Sequence, residues 1–394
     1  MNRMSFTPTN PSLRFALWNL GFRPLFLFAG IFSAISIATW IAQFAGWTGV
    51  RVLVAGPLWH AHEMVFGYTL AVIVGFLFTA VRNWTNQPTP TGLGLASIVG
   101  LWLAARLLVA TGWHEFAVAF DTGFAVAAAL GIARPLIGTG NRRNYFFVVL
   151  LLGLGATNLC FYLAMAGVVS IDITRALQIG LDLIVFTMAV MGGRVIPMFT
   201  GNAVEGSTPR RLVGLESLAL GAVLALLAAD VLALPRAAIA VVASVAAATH
   251  AARLVLWQPW RTRGRPILWI LHAAYAWIVV HLLLRACAAF DVVTQSLANH
   301  ALTVGAIGAL TLGMMTRTSR GHTGRPLVAG TAEVTAYTLV LAAAAVRVFV
   351  PPLLPQAYLL AIEVAGALWV SAFALFAFTY WPILSRARVD GRPG

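Results

Sequence analysis

The sequence predicts an all-α fold, a polytopic integral membrane helical bundle of about 12 transmembrane helices with both termini in the cytoplasm. Three observations predict it. Of the 394 residues, 60% are hydrophobic and only 10% charged, against roughly 45–50% and about 25% in soluble chains. Apolar runs of the roughly 20 residues that a spanning helix needs recur between polar, Pro and Gly breaks. Arginines gather in alternate connections between those runs. This composition excludes a soluble enzyme, a disordered chain and a secreted disulfide scaffold. The net charge of +14 would suggest nucleic acid in a soluble protein. Here it fits loops on one side of a lipid bilayer, and no nucleic-acid partner is expected.

The spans follow in order. Span 1 is 24–45, after Arg23-Pro24. Span 2, 59–81, opens on Trp59-His60-Ala61-His62-Glu63-Met64 and stops at the polar loop 82–91. Span 3 is 92–111. Span 4, 116–133, stops before Arg134-Pro135 and the loop 134–144. Span 5 is 145–167. Span 6, 175–199, carries Asp182 and ends in Gly193-Arg194-Val195-Ile196-Pro197-Met198-Phe199-Thr200. Spans 7 and 8 are 212–229 and 235–256. Span 9, 266–288, starts at Arg265-Pro266 and carries His272, His281 and Arg285. Span 10, 295–316, begins near His300 and gives way to a loop at 317–326. Span 11 is 329–349, after Arg325-Pro326, and span 12 is 355–380, with Glu363. The Arg-Pro pairs place proline at or beside helix starts, where its missing N–H costs nothing. Cys160 and Cys287 lie inside spans without a CxxC spacing and read as small core residues. Most connections are about ten residues long, so 1–394 reads as one transmembrane domain. The first apolar run is too long for a signal h-region and lacks an A-x-A site.

Orientation comes from counting. All 26 basic residues are arginine. With the N-terminus inside, 18 fall in inner segments, from Arg3, Arg14 and Arg23 to Arg386, Arg388 and Arg392. Only Arg51, Arg175, Arg236 and Arg347 fall outside. Arg106, Arg194, Arg253 and Arg285 lie within or at the ends of spans. This asymmetry is the positive-inside pattern, and it requires an even number of spans.

Ionisable side chains at membrane depth are costly, so each is a candidate for function. His60, His62 and Glu63 open span 2 near the outer surface. On a regular helix His60 and Glu63 share a face, while His60 and His62 point about 200° apart. One histidine can then ligate a metal while Glu63 orients the other, unless Pro57 keeps this turn irregular. The alternative is a hydrogen-bonded helix entrance. His281 and His272 face opposite ways on span 9. Arg285, one turn from His281, suits a carboxylate or a haem propionate. His300, Asp182 and Glu363 share the outer half, where Glu63, Asp182 and Glu363 can relay protons or pair with membrane arginines. Imidazole is a common ligand of copper and haem iron, so histidines gathered in one leaflet suggest a redox metal or haem near the periplasmic face. Toward the inner side, the 193–200 stretch and Thr316–Pro326, which includes His322 and Arg325, suit an anion, haem propionates or lipid headgroups.

These motifs resemble the NnrS family of bacterial membrane proteins. The resemblance rests on Trp59-His60-Ala61-His62-Glu63-Met64-Val65-Phe66-Gly67 and on Gly75-Phe76-Leu77 with Thr79-Ala80-Val81-Arg82-Asn83-Trp84-Thr85. It extends through Gly193-Arg194-Val195-Ile196-Pro197 and His300-Ala301-Leu302-Thr303-Val304-Gly305-Ala306-Ile307-Gly308. It closes on Met314-Met315, Arg317 and Gly321-His322-Thr323-Gly324-Arg325-Pro326-Leu327. It implies a haem- and copper-containing protein of the bacterial inner membrane, linked to nitric oxide metabolism, nitrosative-stress resistance and denitrification. The implied partners are nitric oxide or nitrosylated metal complexes. The family's histidine motifs fall on His60, His62, His300 and His322, with His60, His62 and His300 as the metal candidates. His281, Arg285 and Arg325 join the cofactor candidates from depth and loop composition. No particular reaction is implied. A proton-coupled transporter or exporter of a metal or nitrosyl complex is the alternative, and it predicts broken helices and an inverted repeat.

Overall fold

In hydrocarbon an apolar segment must close its backbone hydrogen bonds within itself, which leaves the helix as the form for a single spanning segment. The computed structural model describes residues 15–47, 56–112 and 114–392. It is 81% helical, with no strand among the described residues. Among the described residues, twelve helices are long and apolar enough to cross a membrane, so the chain is a multi-pass membrane protein. They are α1 (Phe22–Phe44), α2 (Pro57–Thr85), α3 (Gly92–Thr111), α4 (His114–Gly138), α5 (Phe146–Met165), α6 (Ile173–Ala203), α7 (Val213–Val231), α8 (Arg236–Leu256), α9 (Pro266–Ala288), α10 (Gln295–His322), α11 (Thr331–Leu353) and α12 (Tyr358–Ser385). Arg3, Arg14 and Arg51 of the charge count lie outside the described residues.

Six helices overrun the sequence expectation by four residues or more: α2 at Thr85, α11 at Leu353, α12 at Ser385, and α4, α10 and α6 as follows. Helix α4 runs past Arg134-Pro135 to Gly138, because the stop is at Gly140. That residue takes φ 65°, its N–H bonds to Ile137 O at 3.0 Å, and Asn141 N–H bonds to Leu136 O at 2.9 Å. This is the Schellman arrangement that glycine favours. Helix α10 likewise continues through Thr316–Arg320 and ends with Gly324 at φ 78°. Residues 317–322 are therefore helix, not loop. Helix α6 passes through Pro197 to Ala203.

Sequence neighbours pack side by side, and α12 closes against α1. Helix α2 is the most enclosed, with 89% of its apolar window buried, followed by α6 at 72% and α10 at 67%; α3, α7 and α11 reach 33% each. The first three therefore form the middle of the bundle. Lipid tails supply no hydrophobic drive between helices, so close packing of small side chains matters. Ala219, Ala222 and Ala229 of α7 and Ala240, Ala243 and Ala247 of α8 recur at helical spacing on buried faces. Large apolar side chains such as Leu107, Val241 and Phe378 remain exposed on the periphery, as lipid contact requires.

The arginine-rich connections meet at one end. Asn141 Nδ2 donates to Trp84 O at 3.4 Å, Arg210 N to Leu256 O at 2.9 Å and Ala16 N to Ser385 O at 2.8 Å. The C-terminal tail folds over the end of α10. Val389 N donates to Thr323 O at 3.2 Å and Arg388 to His322 O at 2.8 Å. Hydrogen bonds from Arg388 hold the exposed Asp390 carboxyl down at about 2.

Two of the three inner helices are interrupted. Glu63–Thr69 in α2 and Ala301–Gly308 in α10 are π-helical, a form that recurs at functional sites. Their irregular backbone is satisfied locally. Trp102 Nε1 donates to Gly67 O at 2.8 Å, and Thr69 Oγ1 to Met64 O at 2.7 Å. Tyr68 OH and Thr311 Oγ1, at 2.6 Å, tie the two helices together. Gly305 lies flat against the Trp277 indole, where a Cβ would overlap the ring. Gly305→Ala is expected to destabilise the protein in a thermal unfolding assay. Overpacking costs typically 1–3 kcal/mol, which exceeds the roughly 1 kcal/mol that alanine gains in helix propensity. An unchanged unfolding temperature would show that Trp277 yields.

Candidate functional site

Each interrupted helix delivers a histidine to the arginine-poor end of the bundle. His60 lies in the first turn of α2, after Pro57 at the helix start. His300 is the last residue of the regular turn before the π-helical stretch of α10. The two rings lie nearly parallel, 16° apart with centroids at 6.4 Å. Trp40 of α1 stacks on the His60 ring at 5.2 Å and 10°. His300 Nδ1 is 2.6 Å from Ser296 O. A carbonyl only accepts, so Nδ1 carries the hydrogen and the lone pair lies on Nε2. Backbone anchoring of one ring nitrogen is how metal-ligating histidines are oriented. His60 Nδ1 is buried without a hydrogen-bond partner among the described residues. Two imidazoles with uncommitted nitrogens fit ligation of iron or copper. Among the described residues no three His, Cys, Asp or Glu side chains gather as one metal set.

His62 does not join this pair. Its Nδ1 is 2.9 Å from Glu63 Oε1, and its Nε2 is 2.9 Å from Asn158 Oδ1 and 3.5 Å from Asp121 Oδ2. Arg106 of α3 donates to Glu63 at 2.6 Å and also pairs with Asp121 of α4. Tyr162 OH donates to Asp121 Oδ2 at 3.1 Å. Glu63, His62, Arg106, Asp121 and Asn158 are all buried. Glu63 meets His62 and not His60, although His60 and Glu63 share a face on a regular helix. His62, named with His60 and His300 as a metal candidate, has both nitrogens engaged by protein groups.

A second buried network lies at the same end. Arg285 of α9 donates to Asp230 of α7 at 2.7 Å and 3.0 Å and pairs with Asp182 of α6 at 3.4 Å. Gln178 donates to Asp182 at 3.0 Å. Arg285 therefore holds carboxylates of its own chain. His281 Nδ1 is fixed by Ala298 O at 2.8 Å, and its Nε2 is buried with no partner among the described residues. Glu363 of α12 is half-buried.

His250, His272 and His322 lie in the other half of the bundle. His272 meets Thr200 at 2.9 Å. His250 Nδ1 accepts from Tyr275 OH at 2.6 Å, and Tyr275 OH accepts from Arg253 at 2.7 Å. Arg253 also forks onto both oxygens of Glu216 at 3.0 Å each. His322 ends α10 with its ring 5.7 Å from Phe22. The 22 residues between it and His300 span roughly 30 Å at helical rise, so the two cannot share a ligand. Arg325 lies beside His322 in the following loop.

Reading depth alone missed Asp121 and Glu216, although each is an ionisable residue in an apolar span and carries the same signal as Asp182, and Asp230 falls one residue past the expected end of span 7. Trp40, Asn158 and Gln178 carried no such signal, because uncharged residues in a span have many ordinary roles.

No curated protein matches the chain. The family model described as NnrS protein matches residues 16–388. With the match covering nearly the whole length, through both interrupted helices and their histidines, the chain belongs to the NnrS family.

Proposed function

We propose that the protein binds haem and copper in the bacterial inner membrane, termini in the cytoplasm, and acts in nitric oxide metabolism or resistance to nitrosative stress. The observation that carries this reading is the His60–His300 pair, with His300 Nδ1 anchored on Ser296 O and His60 Nδ1 unpartnered among the described residues. A bound haem iron or copper supplies a redox-active centre that takes nitric oxide as a ligand. The chain's own residues do the rest. Trp40 fixes the plane of His60. Ser296 sets the tautomer of His300. Glu63, Asp182 and Glu363 are the carboxyls at this end able to pass protons, and Glu63 is the nearest to His60 in sequence.

Protein purified under haem-replete conditions is expected to show a Soret band that shifts on adding nitric oxide, and His300→Ala is expected to lose it. Absence of both the band and bound metal from the wild type would overturn the reading. The interruption of α2 and α10 favours a second reading, a proton-coupled exporter of a metal or nitrosyl complex, since carriers break helices around their sites. The two interrupted helices run parallel, however, so they form no inverted pair. Copper movement in proteoliposomes that collapses with the proton gradient would select this second reading.

A further inference from the structure

Of the four arginines that the sequence places within spans, three meet a carboxylate: Arg106 with Glu63, Arg253 with Glu216 and Arg285 with Asp182. Arg194 does not, among the described residues. Its guanidinium lies 5.6 Å from the Phe146 ring, 5.7 Å from Phe147 and 6.0 Å from Trp84. One N–H donates to Asn144 Oδ1 at 2.7 Å. The aromatic shelf and the amide fix the plane of the fork.

Beside it, at the arginine-rich end, is an open cavity of about 430 Å³ lined by Trp84, Asn141, Arg143, Asn144, Arg194 and Arg211. That volume lies in the range of about 300–1,000 Å³ typical of small-molecule sites. Three of the six lining residues are cations and none is an acid. Glu216, bonded to the lining residue Arg211 at 3.2 Å, is already forked by Arg253. Glu216 thus serves two arginines, while Arg143 and Arg194 pair with no carboxylate among the described residues, which leaves a local excess of positive charge. Arg194 is 21 residues from Ile173, the start of α6, so it lies about 30 Å along the helix, close to the thickness of a bilayer core.

We propose that this cavity binds a phosphate group, with Arg194 as its fixed fork and Arg143 and Arg211 closing from the loops. Planar guanidinium forks match phosphate oxygens, and several phosphate oxygens can meet several arginines at once, as a single carboxylate cannot. The phosphate belongs either to an anionic phospholipid headgroup or to a soluble phosphate.

The test uses the full-length protein, delipidated in detergent, with Arg194→Gln and Arg143→Gln beside it. Arg143 lies on an exposed turn, so its variant remains informative if Arg194→Gln does not fold. Native mass spectrometry compares added phosphatidylglycerol with phosphatidylcholine, and thermal unfolding compares inorganic phosphate with chloride at equal ionic strength. Phosphatidylglycerol bound in preference to phosphatidylcholine, and weakened roughly tenfold by Arg194→Gln as expected for loss of a charge-assisted contact, identifies the lipid source. Stabilisation by phosphate that the variants lose, with the two lipids bound equally, identifies the soluble source. Wild type and both variants responding alike to every probe, or no response at all, overturns the proposal.

Discussion

Arg106→Leu is expected to destabilise the protein by about 3–5 kcal/mol, the range for breaking a buried ion pair by removing one partner. The substitution strips the arginine that pairs with both Glu63 and Asp121, which are 1% and 0% exposed. Their oxygens would then face His62, Asn158 and Tyr162 with too few donors. The measurement is thermal unfolding and folded yield of the detergent-solubilised protein. Adding Asp121→Asn should recover part of the loss, because it removes one of the two facing charges. The coupling in that double-mutant cycle should be of order 1–3 kcal/mol for groups in one network. A single variant that unfolds at the wild-type temperature would show that the network bears little of the fold's stability.

The second large effect separates the histidines of α2. His60→Ala and His300→Ala should each lower bound metal to below about a tenth of wild type, because two imidazoles provide no spare ligand. His62→Ala should retain the metal and lose stability instead. It leaves Asn158 Oδ1 without His62, at about 1–3 kcal/mol for an unsatisfied buried group, and takes one donor from Glu63 Oε1, which Arg106 still meets. Metal analysis and unfolding, run on the same three preparations, distinguish the two outcomes. A folded His62→Ala protein that has lost its metal as fully as His300→Ala would defeat this partition.

The spans were legible because hydrocarbon allows little else. The run from Pro266 to Ala288 is apolar but for His272, His281 and Arg285 and is flanked by polar breaks, and the sequence boundaries match the helix. Legibility failed where a helix outlasts its apolar run. Arg317, Thr318 and Ser319 are polar, yet they are buried in α10. There, protein packing rather than lipid sets the helix length. The Arg-Pro signal likewise misplaced the end of α4, where the glycine two residues beyond the helix end controls the stop.

The site was legible by depth and partly by face. Spacing on α2 separated His60 from His62, and each indeed meets a different set of partners. The partners themselves were out of reach. Glu63 meets Arg106 across 43 residues, His62 meets Asn158 across 96, and Arg285 meets Asp182 across 103. The π-helical turns were also unreadable, since they arise from packing against Trp102, Trp277 and neighbouring helices and not from a local propensity.

By itself the sequence determined the number of membrane helices, their approximate ends, the alternation of arginines between connections and the family to which the motifs point. Each of these follows from transfer between water and hydrocarbon, which acts on a segment wherever its neighbours lie. Tertiary structure alone decided which histidines face each other, which acids are neutralised by which arginines, and which arginine is left beside an open cavity. Those depend on the rotation of each helix about its axis and on its lateral neighbours. Both are set by side-chain packing between segments far apart in the chain.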